Sequence, residues 1–157
     1  IIAELSRHVE VVCARAREHG LAGRNISFFL KTQGFKFAGL NLRLSRTTNI
    51  PEEVLSLVLA KWDELYDEHT LYRAAGVTIS DLTSVAARQL DLFDTTLRIE
   101  RLEKIYKEVD ELNVKHGKTL VHLASSTHLF HKEKATKTSL NDESFARIGI
   151  PFIGSVS

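Results

Sequence analysis

Residues 24–46 hold two stretches of alternating apolar and polar side chains, separated by a short connection that contains Gly34. In RNISFFLKT, Ile26, Phe28 and Leu30 fall on one side, with Ser27, Phe29 and Lys31 on the other. In FAGLNLRLSR, Leu40, Leu42 and Leu44 stand opposite Asn41, Arg43 and Ser45. Successive side chains leave a strand on opposite sides, so a period of two marks strands buried on one face and open on the other. Whatever flanks these strands has to cover that buried face.

The flanking segments have the pattern to do so. Ile2, Leu5, Val9, Val12, Cys13 and Ala16 recur every three or four residues, which predicts an amphipathic helix over 2–19 ended by Gly20 and Gly23. Asn49 ahead of Ile50-Pro51-Glu52 reads as an N-cap with proline in the first turn. From there Ile50, Val54, Val58, Leu59, Trp62, Leu65 and Tyr66 form the stripe of a helix over 50–68. YRAAGVTIS adds a strand with Val77 and Ile79 inward and Thr78 and Ser80 outward. Helix, strand, strand, helix, strand, with both helices on one face of a small antiparallel sheet, is an α+β fold. Its uncovered face carries Ser, Thr, Lys and Arg.

Residue 84 ends this first domain, 1–84, and the pattern changes over 85–157. RQLDLFD at 88–94 sets Leu90, Leu92 and Phe93 in a polar stretch. It is too short to be a paired strand and fits no helix with its neighbours, so it docks either on this protein or on another. A charged helix follows over 97–116, with Leu102, Ile105, Val109 and Leu112 as a narrow stripe and Gly117 as its stop. TLVHLAS at 119–125 reads as a short strand, 126–144 as a polar linker, and FARIGIPFIG turns apolar again. The chain has no methionine and is in helical pattern from Ile1-Ile2, which suggests a piece of a longer protein.

Catalytic arrangements are not evident. There is no phosphate-binding glycine loop, no dinucleotide fingerprint and no cysteine pair for zinc. The carboxylates at 52–53 and 63–68 lie on a strongly apolar-striped helix and read as its solvated face. His122, His128 and His131 match no common metal spacing. No apolar run approaches the roughly 20 residues of a membrane span, and no signal-peptide pattern opens the chain. The single Cys13 has no internal disulfide partner, so the reducing cytoplasm is the expected compartment. Charge is more informative. The net charge is only +1, but residues 15–46 hold seven Lys and Arg (Arg15, Arg17, Arg24, Lys31, Lys36, Arg43, Arg46) against Glu18, whereas 52–68 hold six acids against Lys61. Segregation of this kind suggests one basic and one acidic face.

The order of these elements resembles the little-finger domain of Y-family, or lesion-bypass, DNA polymerases. Its most specific residues are Arg73, Gly76 and Val77, the R-x-x-G-V opening of the last strand. QLDLF resembles the pentapeptide by which bacterial polymerases attach to the sliding clamp. RLEKIYKEVDELNVKHGKTLVHLAS and RIGIPFIG are similar to the segments that close bacterial members, so the resemblance covers nearly the whole chain in the family's order. There are departures. The family's magnesium-binding palm carboxylates have no counterpart here, so no cofactor and no nucleotide transfer are expected of this chain itself. An arginine that the family carries after the Arg73 position is Ala74. The family's first strand falls before residue 1, so the sheet is expected to lack it unless the opening residues or 119–124 fill the gap.

The resemblance implies a region that grips primer–template DNA on its major-groove side and tethers a translesion polymerase to the bacterial sliding clamp. Lys31, Lys36, Arg43, Arg46, Arg73, Thr78 and Ser80 are the expected phosphate ligands. Gln89, Leu90, Asp91, Leu92 and Phe93 are the expected clamp ligands, with Gln89 offering an amide and Leu92 and Phe93 the apolar area. Two other classes stay open: an adaptor that binds the clamp or another protein without DNA, and a small α+β enzyme with an unrecognised pocket. Salt-sensitive DNA binding would argue against the first, and a deep pocket lined by titratable groups would favour the second.

Overall fold

Leu21–Thr32 (β1) lies at the centre of a three-stranded antiparallel sheet, between Phe37–Thr48 (β2) and Tyr72–Ser84 (β3). The computed structural model describes residues 1–87, 96–117, 119–127 and 129. Register follows the alternation: Ile26 stands between Leu42 and Ile79, and Phe28 between Leu40 and Val77. Against this inner face pack Ile2–Glu18 (α1) and Pro51–Ala60 (α2). Val9 and Cys13 of α1 meet Ile26, Ile79, Val54 and Leu55 in one cluster, while Leu5 and Val58 meet Phe28 and Leu30 in another. Ile26, Leu30, Val9, Val54 and Val58 are completely buried. Each such side chain contributes about 1.5–3 kcal/mol, so this one helix–sheet layer accounts for most of the stability of the unit. The expected α+β arrangement, with both helices on one sheet face, is what the structure contains.

Three local expectations change. The helix expected over 50–68 is broken: α2 ends at Ala60, a single turn follows at Trp62–Leu65 (α3), and Tyr66 is extended. The cause is aromatic packing. Trp62 stacks on Tyr66 at 5.0 Å, and Tyr66 on Tyr72 at 5.6 Å, which pulls Tyr66 out of the helical path towards β3. Asp67 then closes the turn, accepting from the His69 N–H at 3.0 Å and the Thr70 hydroxyl at 2.7 Å. These two donors hold its carboxyl below the usual range. Asn49 is not the cap of α2. Its amide donates to the Leu21 carbonyl at 2.9 Å, and the start of α2 is held by Thr48, whose hydroxyl accepts from the Ile50 N–H and donates to Glu53. Pro51 does occupy the first helical position.

The third change concerns 119–125, which form no strand. The Asn113 side chain accepts from the Leu120 N–H at 2.7 Å, and Glu10 of α1 accepts from the Leu123 N–H and the Ser126 hydroxyl. With those backbone groups taken by side chains, the segment ends in a 3₁₀ turn at Ala124–Ser126. Among the described residues the sheet therefore keeps three strands.

The helix expected over 97–116 is present at Thr96–His116 (α4), and it lies against the outer side of α1. Arg17 joins the two. Its guanidinium donates twice to Asp110, at 2.6 and 2.9 Å, and once to the Asn49 carbonyl at 2.6 Å, and lies 4.9 Å from the centre of the Tyr106 ring. Ile99 is buried, but Ile105 and Leu112 of the expected stripe stay about half exposed. No helix among the described residues is long and apolar enough to cross a membrane.

Candidate nucleic-acid interface

The outer sheet face is built by the same register that builds the core. Its rows, read across β2, β1 and β3, are Arg43–Asn25–Ser80, Asn41–Ser27–Thr78, Gly39–Phe29–Gly76 and Phe37–Lys31–Ala74. Arg43, Asn41, Thr78 and Ser80 are exposed, and Asn25, Ser27 and Lys31 partly so. Four of the expected phosphate ligands, Lys31, Arg43, Thr78 and Ser80, thus share one surface. It offers two cations, three hydroxyl groups with Ser27 counted, and neighbouring amides without a carboxylate on those rows.

The remaining expected residues divide. Lys36 is exposed in the β1–β2 turn, where its N–H donates to the Thr32 hydroxyl at 3.1 Å. Arg73 is the extra residue of a bulge: Lys31 pairs with Ala74 but Thr32 pairs with Tyr72. The bulge swings its guanidinium over the Phe35 ring, 4.4 Å from the centre. Arg46 is set apart from the rest. It shares the inner parity of Leu42 and Leu44 and forms an ion pair with Glu53 of α2. Arg24 is likewise engaged, donating to the Leu44 and Ser45 carbonyls at 3.1 and 2.8 Å where the β1–β2 ladder shifts register. Gln89, Leu90, Asp91, Leu92 and Phe93 lie outside the described residues.

The hairpin end carries an aromatic patch that charge-based reasoning missed. The Lys31 ammonium sits 4.7 Å from the Phe37 ring centre and 5.0 Å from that of Phe35, and the Phe29 and Phe37 rings are 5.8 Å apart. Phe29 among the outward-facing polar residues was the signal in the sequence. Gly76 makes room for it: a Cβ there would lie 2.4 Å from Cε1 of Phe29. Phe35 has φ +63°, a left-handed conformation that costs a non-glycine residue roughly 1–2 kcal/mol.

Residues 1–92 match the model of the impB/mucB/samB family C-terminal domain, which takes in more than half of the 157 residues. The chain belongs to that family. The impB/mucB/samB C-terminal domain is the C-terminal region of Y-family polymerases, so the R-x-x-G-V strand and the elements around it are those of that region. Among curated proteins, the chain is 27% identical over 117 residues to the DNA polymerase IV of Moorella thermoacetica, a match covering 74% of this chain and 28% of that protein. It is 35% identical over 97 residues to the DNA polymerase IV of Pelotomaculum thermopropionicum, covering 59% of this chain and 23% of the relative. The chain thus spans about a quarter of the length of the curated relatives it matches. Among the described residues of this impB/mucB/samB domain, no group of three His, Cys, Asp or Glu is placed to hold a metal ion.

Proposed function

We propose that this chain is the DNA-gripping and clamp-tethering region of a translesion DNA polymerase. One observation carries the reading: the outer sheet face brings Lys31, Arg43, Thr78 and Ser80 onto one exposed surface, with Lys36 and Arg73 at its hairpin end. Cations and hydroxyl donors on a shallow face suit phosphate oxygens, and they hold a duplex in position without reading its bases. Arg46, occupied with Glu53, helps fix α2 to β2 and takes no phosphate. The names of the relatives, DNA polymerase IV, support the same class of partner. The chain's part is positional, and it holds primer–template DNA for catalytic machinery elsewhere. Residues 89–93 serve as the tether, with Leu92 and Phe93 filling a clamp pocket while Gln89 hydrogen-bonds at its rim.

Titrating the chain with duplex DNA over a salt series tests the grip. Three to five phosphate contacts give a log K against log salt slope of about −3 to −4.5, and Arg43→Ala flattens it by about one unit without changing the preference among sequences. A slope near zero would refute the grip. In parallel, Leu92→Ala with Phe93→Ala abolishes capture by an immobilised bacterial clamp and leaves the DNA titration unchanged; capture that survives the double change rejects the tether.

A further inference from the structure

The outer face has two unlike halves. Around Asn25 it presents Arg43, Ser80, Thr78 and side-chain amides; around Lys31 it presents three phenylalanines and two cations. Phe35 and Phe37 are 62% and 65% exposed, so neither ring contributes much to the core. Phe35 also occupies the turn position that favours glycine. Its N–H donates to the Thr32 carbonyl at 3.1 Å, and the Thr32 N–H to the Lys36 carbonyl at 2.9 Å, which closes the hairpin around a residue with positive φ. Beyond its contacts with Lys31 and Arg73, the exposed Phe35 ring returns little to folding for the strain it holds, and such outliers point to a binding role.

Flat apolar rings flanked by cations match one ligand chemistry well. An unpaired base has two π-faces and a phosphate on either side, so it can stack on a phenyl ring while Lys31 or Arg73 meets the backbone. Bases inside a duplex hide those faces in the stack and have no use for the rings. The spacing is suitable as well. From Asn25 to Lys31, β1 advances about 20 Å, roughly six base steps along a duplex strand at about 3.4 Å each. A duplex that ends on the polar half leaves the unpaired strand beyond its end within reach of the hairpin. We infer that Phe35 and Phe37, supported by Phe29, Lys31 and Arg73, form a stacking platform for unpaired bases next to a duplex, so that the face distinguishes a primer–template junction from a blunt duplex. The inference rests on the DNA-gripping reading above and gives the rings a role within it.

The test uses the chain with Phe35→Gly and Phe37→Ser together. Glycine suits the turn conformation at 35 and both rings are exposed, so the fold is retained, as circular dichroism and the thermal midpoint verify. Two DNAs are compared at matched salt: a blunt duplex, and the same duplex with a single-stranded extension carrying 2-aminopurine. The unaltered chain binds the extended DNA more tightly and changes the 2-aminopurine fluorescence. The double variant loses that preference, roughly tenfold or more, together with the fluorescence change. Its affinity for the blunt duplex and its salt slope stay within about a factor of two of the unaltered chain's. Arg43→Ala, by contrast, weakens both DNAs together. Equal losses of the double variant on both DNAs, or a preference that survives it, overturn the platform. A chain that binds blunt duplex with a steep salt slope but shows no preference for the extension loses the platform alone. No salt-dependent binding to either DNA removes the grip and the platform together.

Discussion

At the scale of single residues, Gly76 matters for what it lacks, since the missing side chain leaves room for Phe29 to lie across β3. Phe29 is partly exposed, so a methyl group at 76 displaces the free end of its ring rather than the backbone. Gly76→Ala is expected to cost about 1 kcal/mol or a little more, seen as a small drop in thermal midpoint, with a weaker 2-aminopurine signal because Phe29 no longer supports Phe37. A loss above about 4 kcal/mol would show that the backbone had to move instead. The alternation in the sequence was enough to group Lys31, Arg43, Thr78 and Ser80, since in a regular strand parity alone decides the face. It failed for Arg73, because a bulge adds one residue and resets the parity. Charge alone groups Arg46 with the phosphate ligands, whereas its parity with Leu42 and Leu44 sets it on the inner side, where it pairs with Glu53. Phe37 shares the outward parity of Asn41 and Arg43, so the alternation already sets its ring on the open face, whereas Phe35 lies in the turn, where no period applies.

At the scale of elements, α4 is the dependent one. Helices in proteins draw most of their stability from packing of an amphipathic face, and Ile105 and Leu112 of α4 are left about half exposed. Arg17 links it to α1 and to the start of α2 through Asp110, Tyr106 and the Asn49 carbonyl. Arg17→Met keeps the aliphatic stem and removes the fork. We expect a loss of about 1.5–3 kcal/mol, the range for hydrogen bonds to a charged group, confined to that contact. Hydrogen exchange should speed up across 96–116 while β1 stays protected; uniform acceleration throughout the chain would contradict this view of α4. The sequence could not supply this link, because Arg17 and Asp110 are far apart along the chain and their pairing follows no local period. The helical stripe drawn through 50–68 failed for a related reason: the Trp62–Tyr66–Tyr72 stack involves a residue beyond the helix, and that packing outweighs the periodicity. The strands and first helix were legible because amphipathic period and burial coincide there.

At the scale of the whole molecule, one layer between helices and sheet holds everything in place, and Cys13 lies completely buried within it. Burial pushes its thiol from the ordinary 9.0 up to about 12, against the smaller opposing effect of Arg17. Desolvation also raises the Tyr106 phenol, aided by Glu52. The folded chain keeps the Cys13 proton that the unfolded chain gives up above about pH 9, so the stability tied to the thiol is intact below that pH and declines as pH climbs towards 12. Urea titrations should show the decline at no more than ~1.4 kcal/mol per pH unit for the thiol, and Cys13→Ala should make it shallower; identical curves for both proteins would rule out the thiol's share. The same burial has a practical side. With a single sulfhydryl in the chain, sealed between α1 and the inner sheet face, a thiol reagent reacts only in the moments when that layer parts. The fraction of chains modified over time is then a direct clock of opening. Because the outer face is on the far side of the sheet, a ligand held there can slow the clock while never touching the sulfur.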